Sequence, residues 1–227
     1  MNWLILGGGG IGSALLEAVT ARGHEAIVLS RQGPLNQPPR LNSASWQDIQ
    51  HAIFNLPQLP DYFVSTSGLL WTPEQGPEKR LSELNPEHLW RSVQANTLAP
   101  MAALSALQQR MNRQSKLRAL VLTAKVGSIS DNQLGGWYSY RASKAMTNML
   151  LKNTAIEWQR QHPQASLGAY HPGTTDTQLS QPFQSRVPSA QLKTPAAAAA
   201  CLIEVITALT PETSGRFWHW DGTELPW

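Results

Sequence analysis

Short apolar runs alternate along the chain with longer segments in which apolar residues recur every three or four positions. The short runs predict buried strands, and the longer segments predict amphipathic helices. The predicted strands lie at 2–6, 25–31, 61–68, 117–123, 165–170 and 215–220, with a weaker one near 40–44. The predicted helices lie at 13–22, 47–54, 86–101, 140–161 and 195–209.

This alternation predicts a parallel sheet with helices on both faces, because each helical crossover returns the chain to the same edge of the sheet. A chain of 227 residues with 41% hydrophobic residues can build such a core as one unit. We therefore predict an α/β protein. It is a single-domain Rossmann fold over residues 1–227, with a doubly wound, mainly parallel sheet of about seven strands.

Three glycines follow the first predicted strand and open the first predicted helix. Gly7, Gly9 and Gly12 have the spacing Gly-x-Gly-x-x-Gly. In this context a pyrophosphate approaches the backbone closely and meets the free N–H groups of the helix N-terminus. The alternative is a tight glycine-rich turn without a ligand. The strand, turn and helix order favours a dinucleotide site.

The second predicted strand ends where a dinucleotide fold contacts the adenosine ribose. An acidic residue there would favour NAD, whereas this chain has Ser30 and Arg31. Because a guanidinium suits a 2′-phosphate, we predict NADP(H) in preference to NAD(H). A solvated arginine at a strand end is the alternative for Arg31.

Tyr140 and Lys144 are four residues apart on a predicted helix and therefore share one face. An ammonium next to a phenol can lower the pKa of the phenol, which then serves as a proton donor and acceptor near neutral pH. Taken alone, such a pair more often reflects an ordinary amphipathic helix. Asn96, on an earlier helix, is by itself compatible with a helix bend or a packing role.

Composition and charge exclude several other classes of function. The net charge is +3, and the one local concentration of cations, Arg110, Arg113, Lys116 and Arg118, is interpreted as a solvated helix end. We therefore predict no nucleic-acid partner. No segment reaches the ~20 apolar residues of a membrane span, and the apolar N-terminus is too short for a signal peptide. We predict a cytoplasmic protein without a membrane partner.

Cys201 is the one cysteine of the chain, so an internal disulfide is impossible. No spacing of cysteine or histidine suggests a metal site. The carboxyl ends of the predicted strands instead gather polar residues on one rim of the sheet, as expected for a ligand crevice. These are the glycine turn, Ser30, Arg31, Ser67, Gly68, Thr123, the Tyr140 region and residues 172–177.

The motifs together resemble the short-chain dehydrogenase/reductase family over essentially the whole chain. The glycine turn, Asn96, Tyr140-x-x-x-Lys144 and Pro172-Gly173 followed by Thr177 occur in the family's order. The segments 127–144 and 214–227 are similar to the C-factor-type, carbonyl-reductase-like subgroup.

The resemblance implies hydride transfer between a nicotinamide and a carbonyl or alcohol carbon. Tyr140 would donate the proton, Lys144 would lower the pKa of Tyr140 and hold the ribose, and Asn96 would position a relay water. Residues 178–193 would form a substrate lid. The implied cofactor-binding residues are Gly7, Gly9, Gly10, Ile11, Gly12, Ser30, Arg31, Ser67, Gly68, Asn96, Thr123, Tyr140, Lys144, Pro172, Gly173, Thr175 and Thr177.

Three departures from the family pattern affect these expectations. The glycine turn is one residue shorter than usual, and Ser65-Thr-Ser-Gly68 replaces the usual Asn-Asn-Ala-Gly. The family's substrate-orienting serine pair is replaced by Thr123 and Ala124, so the second hydroxyl is missing. We predict that Ser128, in the following loop, supplies that hydroxyl, with Thr123 as the weaker candidate.

The leading hypothesis is an NADPH-dependent carbonyl reductase that acts on a small, moderately apolar aldehyde or ketone. Leu134, Trp137 and Phe183 are the expected apolar lining. The alternative is a dinucleotide-binding regulatory or signalling protein with weakened catalysis, which Ala124 motivates. Family analogy implies a homodimer or homotetramer through the helices that carry Asn96 and Tyr140.

Overall fold

The computed structural model describes residues 1–30 and 45–227. Within these residues six strands form one entirely parallel sheet with the order β2-β1-β3-β4-β5-β6. The strands are β1 Asn2–Leu6, β2 Glu25–Leu29, β3 Tyr62–Ser65, β4 Arg118–Leu122, β5 Ser166–His171 and β6 Phe217–His219. The predicted doubly wound α/β fold is confirmed, with six described strands rather than seven. The weak strand expected near 40–44, like Arg31, lies outside the described residues.

Helices cover both faces of the sheet. They are α1 Gly10–Thr20, α2 Trp46–Phe54, α3 Pro86–Val93, α4 Ala99–Arg110, α5 Tyr138–Gln161 and α6 Pro195–Ala208. Alternate residues of each strand face opposite layers, as the period of two requires. Leu4 packs in the layer of α2, α4 and α5, whereas Ile5 packs in the layer of α1 and α6.

The helix starts expected from residue chemistry are confirmed. The side-chain oxygen of Asn85 accepts hydrogen bonds from the backbone N–H groups of Glu87 and His88, 2.8 and 3.2 Å away. The hydroxyl of Thr194 accepts one from the N–H of Ala197 at 3.2 Å. Each cap is followed by a proline at the first helical position, where no intrahelical N–H is needed.

A π-helical segment, Gln94–Leu98, joins α3 to α4 and contains Asn96. Such a segment widens the helix locally and is often found at functional sites. Here it turns the buried Asn96 side chain toward the loop after β3 and toward α5. Of the two structural roles left open for Asn96, a helix bend and packing, the contacts of its buried side chain fit packing between the two segments.

The parallel register brings the carboxyl ends of the central strands together. Leu6 at the end of β1 lies opposite Leu29 of β2 and Ser65 of β3. The loops that follow these strands therefore meet at one edge of the sheet, where a ligand crevice is expected. None of the helices in the described ranges has the length and apolar character that crossing a membrane requires.

Candidate active site

A crevice of about 370 Å³ opens at this edge of the sheet. Most of the predicted cofactor-binding residues line it, together with the predicted tyrosine and lysine. The lining includes Gly7, Gly9, Gly10, Ile11, Ser30, Ser67, Gly68, Thr123, Tyr140, Lys144, Pro172 and Thr177. Residues that are 170 positions apart in sequence thus share one cavity.

The glycine turn brings the start of α1 close to the end of β1. A Cβ atom on Gly12 would lie 2.1 Å from the carbonyl oxygen of Gly7, so only glycine fits there. Gly7 itself has φ +110°, and its N–H donates to the carbonyl oxygen of Leu29 at 2.9 Å. The turn is therefore closed by direct backbone contacts despite being one residue shorter than the usual loop.

The same turn leaves the first N–H groups of α1 available for an anion. Gly9 is the N-cap and has no side chain to offer, and Gly10, Ile11 and Gly12 find no N–H acceptor among the described residues. A Cβ on Gly9 would meet nothing within 4 Å, which shows that the space above the turn is open. Free N–H groups, the helix dipole and open space together fit a dinucleotide pyrophosphate.

The segment 65–68 makes its own contacts with the glycine turn. The hydroxyl of Thr66 donates to the carbonyl oxygen of Gly7 at 3.0 Å, and the hydroxyls of Ser65 and Ser67 lie 3.0 Å apart. The first bond ties the loop after β3 to the turn after β1, and the second contact lies within the loop itself. The altered motif therefore still provides the structural hydrogen bonds at this point.

Tyr140 and Lys144 are both buried in the wall of the crevice. The ammonium of Lys144 lies 5.8 Å from the centre of the Tyr140 ring and donates to the carbonyl oxygen of Leu122 at 2.9 Å. Burial lowers the pKa of Lys144 to about 7 and raises the pKa of Tyr140 to about 12. Burial is the cause of both shifts. The expectation that Lys144 lowers the pKa of Tyr140 stays a prediction.

Asn96 holds the loop after β3 against α5. Its amide oxygen accepts from the N–H of Leu69 at 2.7 Å, and its amide nitrogen donates to the carbonyl oxygen of Leu69 and to the hydroxyl of Ser143, each at 2.9 Å. Asn96 itself does not line the crevice, although its neighbour Ala95 does. The amide is thus engaged with protein groups on both sides.

Ser128, the residue predicted to replace the missing serine hydroxyl, does not line the crevice in this structure, and its catalytic role stays a prediction. Ala124 packs directly with Tyr140 and Leu70, at the position where the second hydroxyl was expected. Ser128 is buried in a turn, where its oxygen accepts from the N–H of Asp131 at 3.3 Å, and it does not line the crevice. Thr123 does line the crevice, and its buried hydroxyl has no partner among the described residues.

The segment after β5 closes the other side of the crevice. Pro172 and Thr177 line it, and a Cβ on Gly10 would lie 2.7 Å from the Thr177 methyl group. Gly173, with φ +73°, and the buried Thr175 do not line the crevice. Gly12 of the glycine turn does not line it either. The conformation of Gly173 nonetheless sets the direction in which the chain continues to Thr177.

An aromatic wall borders Tyr140 on the side away from the glycine turn. The Trp137 ring lies 6.1 Å from the Tyr140 ring and 5.2 Å from the Phe183 ring, between centroids. The indole N–H of Trp71 donates to the carbonyl oxygen of Leu179 at 3.0 Å. Trp137 and Phe183 thus pack next to Tyr140, and their role as substrate lining stays a prediction, whereas Leu134 is 91% exposed and packs against none of these rings.

Several residues of the site carry no recognisable signal in the sequence. Thr66, Trp71, Glu78 and Leu179 reach the site through contacts between distant segments, and Gly8, Ala95 and Ala99 line the crevice without belonging to a motif position. Residues 1–30 and 45–227 contain no group of three or more histidine, cysteine, aspartate or glutamate side chains that could hold a metal ion.

Comparison with known proteins agrees with this geometry. The family model described as short chain dehydrogenase matches residues 49–187, which is more than half of the chain. The 1-hydroxy-2-glutathionyl-2-methyl-3-butene dehydrogenase of Rhodococcus sp. (strain AD45) is 37% identical over 167 residues, covering 74% of this chain and 68% of that protein. The C-signal protein of Myxococcus xanthus is 31% identical over 148 residues, covering 65% of this chain and 83% of that protein.

The fold comparison covers the entire chain. The crystal structure of an NADPH-bound carbonyl reductase from chicken fatty liver has a TM-score of 0.83 and 18% sequence identity, covering 100% of this chain and 98% of the other. At that identity the likeness concerns the fold alone. The family match and the Rhodococcus relative establish more: this chain belongs to the short-chain dehydrogenase/reductase family of NAD(P)-dependent oxidoreductases.

Proposed function

We propose that the protein is an NADPH-dependent carbonyl reductase that transfers hydride between the nicotinamide and a carbonyl or alcohol carbon of a small, moderately apolar substrate. The observation that carries this proposal is that Tyr140 and Lys144 line the same crevice as the glycine turn. A proton donor and a dinucleotide site in one cavity are the two requirements of such a reaction.

Tyr140 is assigned as the proton donor to the carbonyl oxygen. A phenol whose pKa is raised to about 12 by burial is protonated at neutral pH, which is the form that reduction requires. When bound, the reduced nicotinamide supplies the hydride. Pro172 and Thr177, which line the crevice, would hold the carboxamide end of the cofactor, with Gly173 setting the direction of the chain between them, and the glycine turn would hold the pyrophosphate.

Lys144 is assigned to the ribose hydroxyls of the cofactor and to the electrostatics of Tyr140. With a pKa lowered to about 7 by burial, it exchanges its proton near neutral pH and can return protons to the tyrosine side of the crevice. Asn96 fixes the loop after β3 beside this pair. The relay water at Asn96 and the catalytic role of Ser128 stay predictions from the family resemblance.

The substrate class follows from the walls of the site. An apolar surface around Tyr140 is formed by Trp137, Phe183, Leu70 and Leu179. Of these residues, Leu179 and Phe183 belong to the proposed lid, residues 178–193. This surface favours an aldehyde or ketone with an apolar substituent. The Rhodococcus relative is named for a glutathionyl-alkenol, and that alcohol belongs in the substrate screen. We propose that residues 1–227 form one catalytic domain.

Cofactor preference is tested by titrating the purified protein with NADPH and, separately, with NADH. Quenching of the nine tryptophans reports binding. We expect NADPH to bind at least tenfold more tightly, because Arg31 is assigned to the 2′-phosphate. Equal affinities would refute the assignment of Arg31, and absence of binding to both would refute the function itself.

Catalysis is tested with Tyr140→Phe in an NADPH-dependent screen of aldehydes and ketones. The variant keeps the ring that packs against Ala124 and Trp137, so cofactor binding should be unchanged. We expect kcat to fall by about 10³-fold because the proton donor is lost. Full turnover in the variant would refute the tyrosine assignment. Cofactor binding without turnover in the wild-type protein would favour the regulatory alternative.

Self-association is proposed through the exposed faces of α3 and α5. Trp90 is 55% exposed and Met149 is 62% exposed, and Met146 and Ile156 lie on the same exposed side of α5. Large apolar side chains on neighbouring helices are typical of an interface between subunits. Light scattering of the wild-type protein and of Met149→Glu tests this proposal, with a smaller mass expected for the variant.

A further inference from the structure

Trp137 has an unusual backbone conformation directly before the helix that carries Tyr140. Its φ and ψ are 53° and 44°, and within the described ranges no other residue except glycine has positive φ. For a residue with a side chain this left-handed conformation is strained. Such strain persists where the surrounding structure enforces it, and it often marks a functional position.

Glu78 enforces this conformation from another part of the chain. Its backbone carbonyl accepts a hydrogen bond from the N–H of Trp137, and its carboxylate accepts from both the N–H and the hydroxyl of Ser139. A helix N-cap normally supplies such an oxygen from its own side chain, but the indole of Trp137 has none to offer. Glu78 therefore caps α5 across 61 positions of sequence.

The environment of Glu78 makes this contact specific. Its side chain is 2% exposed, and no lysine, arginine or histidine of the described residues forms a salt bridge with it. The positive end of the helix dipole and the two donors of Ser139 are what compensate its charge. A buried carboxylate aimed at a helix N-terminus restricts both the helix start and the loop that carries it.

The side chains of Trp137 and Tyr140, at the capped start of α5, lie next to each other. Tyr140 is the next residue after Ser139, and the Trp137 ring contacts both Tyr140 and Phe183 of the proposed lid. A rotation of the first turn of α5 would displace the proton donor and the aromatic wall together. Displacement of a reacting group by about 1 Å can lower the rate about 10²-fold.

We propose that Glu78 is a positioning residue of the reaction: by capping α5 from the loop after β3, it holds Tyr140 in place and fixes Trp137 as the wall that selects apolar substrates. This inference rests on the proposed function and adds a determinant of specificity to it. None of the motif positions identified in the sequence includes Glu78.

The test compares Glu78→Ala and Glu78→Gln with Asn85→Ala. Asn85 also caps a helix by accepting two backbone N–H groups, but it does so on α3 and lines no part of the crevice. Each protein is measured for its melting temperature, for kcat and KM with butanone and with acetophenone, and for hydrogen exchange of the peptide that spans residues 135–141 without substrate.

We expect Glu78→Ala to accelerate exchange in this peptide, to lower kcat about tenfold or more, and to reduce the preference for acetophenone over butanone. Glu78→Gln keeps one oxygen for the N–H of Ser139 and should fall between this variant and the wild type, and it carries the test if Glu78→Ala does not fold. Asn85→Ala should lower the melting temperature while leaving kcat and the substrate preference unchanged.

The outcomes separate the two proposals. Wild-type kinetic constants and substrate preference in both Glu78 variants overturn the positioning role, even if their melting temperatures fall. A wild-type protein that binds NADPH and reduces neither these nor any other carbonyl overturns the proposed function. In that case the exchange measurement still decides whether Glu78 holds the start of α5.

Discussion

Replacing Lys144 with methionine should change how the stability of the protein depends on pH. Burial lowers the pKa of this lysine from 10.5 to about 7 in the folded protein. Between these two values the unfolded chain binds a proton that the folded protein does not bind, so the free energy of unfolding rises with pH. With these two values, the stability of the wild-type protein increases by about 3 kcal/mol between pH 6 and pH 9 because of Lys144 alone.

The assay is urea unfolding at pH 6 and pH 9, without cofactor, followed by tryptophan fluorescence. Other titrating groups contribute equally to the wild-type protein and to Lys144→Met, so the difference between their two pH dependences isolates Lys144. Tyr140 does not interfere, because its pKa is raised from 10.0 to about 12 and it therefore affects stability only above this range. We expect the variant to lose most of the increase.

Lys152→Met is the matched control for this experiment. Lys152 lies on the same helix, is half-buried and also donates to a backbone carbonyl, that of Gly215 at 2.9 Å. It lines no part of the crevice, so the pH dependence of the control should follow the wild type. If Lys144→Met and the wild-type protein show parallel pH dependences, the ammonium of Lys144 is not destabilised by burial and the reasoning is refuted.

Four further predictions concern the glycine turn and the missing hydroxyl. Gly12→Ala should destabilise the protein by about 2 kcal/mol or more, because its Cβ would lie 2.1 Å from the carbonyl oxygen of Gly7. Gly9→Ala, whose Cβ meets nothing within 4 Å, should keep its melting temperature but weaken NADPH binding in the fluorescence titration. Ala124→Ser should raise kcat about tenfold by placing a second hydroxyl beside Tyr140. Ser128→Ala should leave kcat unchanged, since that hydroxyl is engaged with Asp131; a fall in kcat would instead support the prediction made from the sequence.

The sheet was predictable because its signals are local. The apolar runs of β1, β3, β4 and β5 are each flanked by turn residues, and every strand end was placed within about three residues of its position in the structure. The caps Asn85 and Thr194 and the glycine spacing are likewise readable over a few residues. The pairing of Tyr140 with Lys144 follows from the period of the helix alone.

The remainder of the site depends on contacts that no local pattern encodes. Ser128 has a suitable residue type at a suitable distance in sequence, but its hydroxyl accepts from the N–H of Asp131 in a turn and Ser128 does not line the crevice. The raised pKa of Tyr140 follows from the extent of its burial, which the spacing of the two residues does not reveal. Trp137 was identified as a wall residue from its apolar character, whereas its left-handed backbone depends on Glu78.

Energetic costs lie around the start of α5, the helix that carries Tyr140. The first turn of α5 follows a left-handed tryptophan, its cap is a buried carboxylate, and one turn beyond Tyr140 lies a lysine whose charged form is disfavoured by burial. The left-handed backbone of Trp137 and the burial of Lys144 each reduce stability when taken alone, and both residues contact Tyr140. Strain that coincides with a proton donor in this way is expected where geometry is maintained for a reaction rather than for folding. The position of these costs on α5 therefore supports an active enzyme over a protein that only binds a dinucleotide. A binding protein would need the glycine turn, but it would need neither a buried lysine at position 144 nor a strained backbone at Trp137.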